Sequence, residues 1–277
     1  MSCSKMFSRI KVLLALSGIF LLSILAKPIH TKAAQVTDFD PVYYLSHNPD
    51  VAAVYGWNAQ GAYEHYITFG MAEGRRGCAG AEDVTDGILS GFTVILDAGH
   101  GGRDPGCVRN GVYEKNVNFS IIMKLKMILE SYGATVLLTR SDDSFVSLEY
   151  RYTYENMNPE AVFVSVHCNA LAGNTRVSGM SAYCHAPNNA NSSLLASCVY
   201  NSALYATGAT GRGINTMSDL KVVYYSYIPS VLIETGYLSS TYEFPLLTSS
   251  EYQDLIAMGI ANGIVSYYSI SSSIPTM

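Results

Sequence analysis

Charge is scarce in this chain of 277 residues: 14% of them are Asp, Glu, Lys or Arg, against 49% that are hydrophobic. That balance excludes a disordered polymer and a coiled coil, both of which need dense charge. Positive charge is confined as well. Lys5, Arg9, Lys11, Lys27 and Lys32 lie in the first 34 residues, where no acid occurs, and beyond them 12 cations face 22 acids. A net charge of −10 over that part excludes DNA or RNA binding through phosphate neutralisation. No apolar run reaches the roughly 20 residues of a membrane span; Val12 to Ala26 has 15 and contains Ser17, Gly18 and Ser23. The six cysteines form no CxxC pair and no regular spacing, which excludes a cysteine zinc site and a disulfide framework. A phosphate loop is missing too. Gly99, Gly101, Gly102 and Gly106 cluster, but Asp104 stands where a GxGxxG register needs glycine and no GK[ST] follows.

Cations, the short apolar run and the small pair Ala33–Ala34 have the three-part order of a secretory signal peptide over residues 1–34. An exported protein is expected, held at the membrane if the signal is not cleaved. Residues 35–80 carry aromatics and small residues at helical spacing, punctuated by Asn-Pro and Gly. They predict a small all-helical module with helices near Pro41–Ser46, Pro49–Tyr55 and Ala59–Phe69. A linker follows at 81–91, and residues 269–277 form a tail.

Between them, residues 92–268 alternate strand-like and helix-like patterns. Apolar runs of strand length occur at Thr93–Leu96, Thr135–Leu138, Ala161–Val166, Met180–Tyr183, Leu220–Val223 and Ser230–Ile233. Asn116–Tyr132, Ser147–Asn156, Asn191–Thr207 and Ser250–Tyr268 repeat apolar residues at i, i+3, i+4 and i+7. The expectation is an α/β domain with a mostly parallel, mixed and twisted sheet of about six strands and helices on both faces.

In such folds chemistry collects beyond the carboxyl ends of strands. Three apolar runs lead there to an ionisable group: "VILDAGHGG" to His100, "VFVSVHCNA" to His167 and "VLIETGYLSS" to Glu234. Glu114, at the start of the first long helix, returns to the same edge. Two His and two Glu can thus meet in one cleft. Two imidazoles and one carboxylate are the ligand set of a catalytic zinc, and a further carboxylate is the proton acceptor a hydrolase needs. Asp97 and Asp104 are candidates to orient His100. Tyr224, Tyr225 and Tyr237 are candidates to line a substrate groove. A rival reading makes Cys168 or Cys184 a nucleophile, but Cys168 directly follows His167 on a strand, where successive side chains diverge.

At these residues the sequence resembles the type-3 family of zinc-dependent N-acetylmuramoyl-L-alanine amidases. The motifs are "LDAGHGGRDPG", the Glu near the next helix, "SVHCNA", "RGI" at Arg212–Ile214 and "PSVLIETGYLSS", in the family's order over Phe92 to Tyr268. The resemblance implies one Zn²⁺ held by His100, Glu114 and His167, with Glu234 as the catalytic carboxylate, acting on peptidoglycan in the cell wall. Arg140 and Arg151 match family arginines with a supporting role, and Asn169 is a candidate for support or substrate binding. Cys107, Ser181 and Ser240 depart from the usual residues. Residues 35–80 resemble a short repeat of exported Gram-positive proteins, which points to cell-wall attachment. The stretch from His185 to Arg212 has room for one helix and shows no inhibitory insertion, so no obligatory activator is indicated. The alternatives are a zinc peptidase cutting the stem peptide, and a wall-binding protein without activity.

Overall fold

The computed structural model describes residues 39–55, 58–70, 73, 75–77, 87–185, 191–216 and 219–272. The expected signal segment, Cys78, the first part of the linker and the end of the tail lie outside the described residues.

The first described elements are α1 (Pro41–His47), α2 (Pro49–Tyr55) and α3 (Ala59–His65), the last continued by a π-helical turn at Tyr66–Gly70. Asp40 starts α1 by accepting from the amides of Val42 and Tyr43, with Pro41 preset for the first turn. Tyr44, Leu45, Val51, Ala62 and Tyr66 form a core of their own. Arg75 ties it together from outside, donating to Asn48 at 3.0 Å and to both oxygens of Asp50 at 2.7–2.8 Å. The Phe69 ring stacks on Tyr205 at 5.3 Å, which seats this part of the chain on the larger core.

The rest follows in the order β1 (Thr93–Ala98), β2 (Val108–Arg109), β3 (Val112–Tyr113), α4 (Glu114–Ser131), β4 (Thr135–Leu138), α5 (Leu148–Asn156), β5 (Ala161–Asn169), β6 (Met180–Tyr183), α6 (Asn191–Thr207), β7 (Gly211–Asn215), α7 (Lys221–Tyr224), β8 (Ser230–Tyr237), α8 (Phe244–Leu247) and α9 (Ser250–Ser271). Six strands make one sheet in the order β4-β1-β5-β8-β6-β7. Its first four strands run parallel, and β6 joins β8 antiparallel and carries β7 parallel to itself. Strand alternation divides the apolar side chains between two cores. Val94, Leu96, Val164, Val166 and Ile233 pack under α4, α6 and α9, whereas Ile95, Phe163 and Leu232 face Tyr154 of α5 and Val222 and Val223 of α7. Two of the helices, α5 and α9, start at a hydroxyl cap: Ser147 accepts from Tyr150 N, and Ser249 from Tyr252 N.

The mixed six-stranded sheet with helices on both faces is as expected, but one strand is not. Leu220–Val223 is no strand: Lys221–Tyr224 is the short helix α7. Three apolar residues within four, Leu220, Val222 and Val223, have no period long enough to separate strand from helix, and the place beside β8 is already taken by β6. The sixth strand is β7, mostly exposed and with glycine at 211 and 213, so it carries no apolar signal.

Candidate metal centre and active site

Because β1, β5 and β8 lie side by side and parallel, the loops after them open on one edge of the sheet. His100 comes two residues after β1. His167 and Glu234 are register partners on β5 and β8, so their side chains leave the same face. Glu114 is the first residue of α4, returned to this edge by the β2–β3 hairpin. The four groups singled out in the sequence therefore meet.

One oxygen of Glu114 lies 3.2 Å from Nε2 of His100 and 3.1 Å from Nδ1 of His167. Ligand atoms from all three residues fall within 4.8 Å of one another. Tetrahedral zinc with bonds of about 2.0–2.2 Å puts neighbouring ligand atoms roughly 3.3–3.6 Å apart. Donor types and spacing thus fit such an ion, and three protein ligands leave one position open. Close packing requires two of the glycines. A Cβ on Gly99 would come within 2.3 Å of the His167 ring, and one on Gly106 within 2.5 Å of Glu114 Oε2.

The electrostatics follow from burial and partners. Burial opposes charge on His100, yet hydrogen bonds to Glu114 and Asp104 outweigh it and raise the imidazole to about 9. Burial likewise works to raise Glu114, but the two histidines hold its carboxyl well below the usual range. The amides of Cys107 and Cys168, at 2.9 and 3.1 Å, and Asn118 Nδ2, at 3.2 Å, donate to it as well. Glu234 is the opposite case. Burial lifts it to about 7, with His167 and His100 opposing and Glu114 adding to the rise. Its Oε2 is buried and makes no hydrogen bond among the described residues.

The supporting residues divide. Asp104 accepts from Nδ1 of His100 at 2.8 Å, which turns Nε2 toward Glu114. Asp97 does not touch the imidazole. Fully buried, it pairs with Arg151 and accepts from Thr139 at 2.6 Å and Ser165 at 2.7 Å, because alternation along β1 turns it under the α5 face. Arg151 in turn donates to the carbonyl of His100 at 2.8 Å. That matters because His100 has φ 63°, a left-handed conformation that costs about 1–3 kcal/mol for a residue with a side chain. Arg140 donates to the carbonyls of Ala98, Asp142, Gly99 and Lys115, and so is a backbone clamp. The Asn169 side chain turns back on the amide of Ala170, away from the cluster. Tyr224 and Tyr225 pack on His185 and Tyr152 and do not line the cavity beside the histidines. Cys168 is buried under the opposite face, its thiol pushed up by burial and bonded to Thr235, which removes it as a nucleophile.

One residue escaped the sequence reading. Buried Glu243 accepts from Gly179 N at 2.8 Å and Tyr237 N at 2.6 Å, clamping the start of β6 to the end of β8 beside Glu234. Its only sequence signal is an acid within an apolar stretch after "GYLSS".

A family model described as N-acetylmuramoyl-L-alanine amidase matches residues 94–266. The Bacillus subtilis protein YqiI is 38% identical over 181 residues, covering 65% of this chain and 86% of YqiI. The amidase LytC of the same bacterium is 34% identical over 178 residues, 64% of this chain but 36% of LytC. Among solved structures, the catalytic domain of the amidase CwlV from Bacillus (Paenibacillus) polymyxa var. colistinus superposes with a TM-score of 0.59 at 36% identity, over 64% of this chain and 98% of that domain. With the family match spanning more than half of its length, the chain belongs to the N-acetylmuramoyl-L-alanine amidase family.

Proposed function

We propose that this protein is a zinc-dependent N-acetylmuramoyl-L-alanine amidase that hydrolyses the bond between muramic acid and the stem peptide of peptidoglycan. The observation that carries the reading is a three-ligand cluster with a carboxylate beside it, Glu234, whose Oε2 is buried and has no hydrogen-bond partner among the described residues. His100, Glu114 and His167 would hold the ion. When bound, zinc there supplies Lewis acidity toward the amide carbonyl and acidifies water at neutral pH.

The remaining steps belong to the chain. Glu234, raised to about 7 by burial, is poised to take a proton from the attacking water and to deliver it to the departing amide nitrogen, which leaves badly unprotonated. A bound cation would lower it and favour the ionised form that accepts the proton. Asp104 holds the His100 tautomer, and Arg151 and Arg140 hold the backbone around it. Export through residues 1–34, wall attachment through residues 35–80 and a catalytic unit over 92–268 complete the reading; the wall amidases among its relatives support an extracellular setting.

The test is digestion of purified peptidoglycan with and without a chelator, identifying the newly freed amino terminus. Chelator-sensitive release of L-Ala termini is expected. A new terminus inside the stem peptide would replace the amidase with a peptidase, and no new terminus on any wall preparation would point to a binding role or a missing activator.

A further inference from the structure

We propose that two adjoining cavities beside His100 form the subsite for the glycan strand, with sugar rings lying against Phe145 and Tyr150. This rests on the amidase reading and adds which part of the substrate lies on which side of the ligand cluster.

The first cavity, of about 350 Å³, runs from His100 and His167 to Phe145, Val146 and Leu148. The second, of about 470 Å³, is lined by Phe145, Val146 and Tyr150. Their shared residues make them one groove leading away from the metal ligands. Large apolar groups stand open to water along it: Phe145 is 42% exposed, Leu148 51% and Tyr150 52%. Such a run needs an occupant more than scattered single residues do.

The platform is held in place before anything binds. Gly102 N donates to Asp143 at 3.0 Å, and Lys115 bridges the Gly102 carbonyl at 2.9 Å and Asp143 at 2.6 Å. Ser147 caps α5 directly below Tyr150, and the Arg103 guanidinium sits 4.2 Å over the Phe145 ring. A preset surface loses little entropy on binding.

The chemistry of the groove selects between the two halves of peptidoglycan. An N-acetylated amino-sugar ring is uncharged and has an apolar face that packs on an aromatic ring. The stem peptide carries carboxylates. Leaving aside the buried Asp97–Arg151 pair, the acids that line the groove, Asp104 and Asp219, outnumber its one lining cation of the Lys/Arg type among the described residues, Lys221. That surplus disfavours an anionic peptide and leaves a neutral sugar unaffected. The peptide then lies on the other side, toward Glu234 and β6.

The experiment uses the full chain carrying Glu234→Gln and neutral oligomers of N-acetylglucosamine, which have the same N-acetylated ring and no lactyl carboxylate, with binding followed by calorimetry. Phe145→Ser and Tyr150→Ser are each expected to weaken binding roughly tenfold, as loss of one aromatic platform does. Phe145→Tyr should retain affinity, and Tyr227→Ser, an exposed tyrosine outside the groove, should match the parent. Unchanged glycan binding in both serine variants, or a loss that appears with free stem peptide instead, would overturn the proposal. Because binding is read without turnover, a failure of the amidase reading shows separately, as absence of L-Ala release by the unsubstituted protein.

Discussion

Glu234→Gln separates the proton-transfer role from metal binding. The amide keeps the shape of the carboxylate but can neither take nor give the proton. Loss of a positioned acid–base group lowers rates about 10²–10⁴-fold, or about 3–5 kcal/mol in the barrier. Stability should move the other way. The folded group is raised from 4.5 to about 7, so it stabilises the fold fully below pH 4.5, and that contribution is lost as pH rises through about 7. The difference of 2.5 units is on the order of 3 kcal/mol at 1.36 kcal/mol per unit, minus whatever the unpaired amide costs in the same buried position. Above pH 7 and with chelator present, the variant is therefore expected to melt no lower than the parent, whereas at pH 4.5 the advantage disappears. The assay combines release of L-Ala termini, zinc content and thermal unfolding across pH 4.5–9. Turnover above a tenth of the parent, or zinc lost together with turnover, would refute the assignment of Glu234 as acid–base group.

Three further outcomes are expected. His167→Ala leaves two of three ligands and should lose both bound zinc and turnover, read by metal analysis after dialysis; retained stoichiometric zinc would contradict its role. Glu155 is buried under α5, accepts one bond from Ser226 and is raised to about 9 by burial, with its Oε1 unpaired. Its contribution to stability falls as pH rises from 4.5 to 9, so Glu155→Gln should flatten that slope and gain on the order of 3 kcal/mol at pH 7 relative to pH 4.5; parallel melting curves for the two proteins would refute this. Glu243→Ala strands the amides of Gly179 and Tyr237 and should cost about 2–4 kcal/mol in urea unfolding, a value near zero showing that water replaces the clamp.

The candidate site was legible because its chemistry is tied to strand ends. Each of His100, His167 and Glu234 follows an apolar run long enough to identify a buried strand, and parallel strands in an α/β sheet must end on a common edge. Glu114 was legible as the opening residue of a helix with clear periodicity. Its supports were less so. Asp97 stands three residues before His100, and proximity in sequence suggested a direct bond. Strand alternation instead points it away, to Arg151, 54 residues on.

By itself, then, the sequence determined the alternation of strands and helices, the four ionisable groups that gather at one sheet edge and the family, since these depend on local pattern and on side-chain chemistry. Tertiary structure alone decided that Val222 and Val223 belong to a helix and Gly211–Asn215 to an edge strand. A short apolar run takes the form its neighbours leave open, and an exposed edge strand has no burial to mark it. Tertiary structure also decided that Phe145 and Tyr150, not Tyr224 and Tyr225, border the groove, because which aromatics meet a cavity depends on how loops fold back from opposite ends of the sheet.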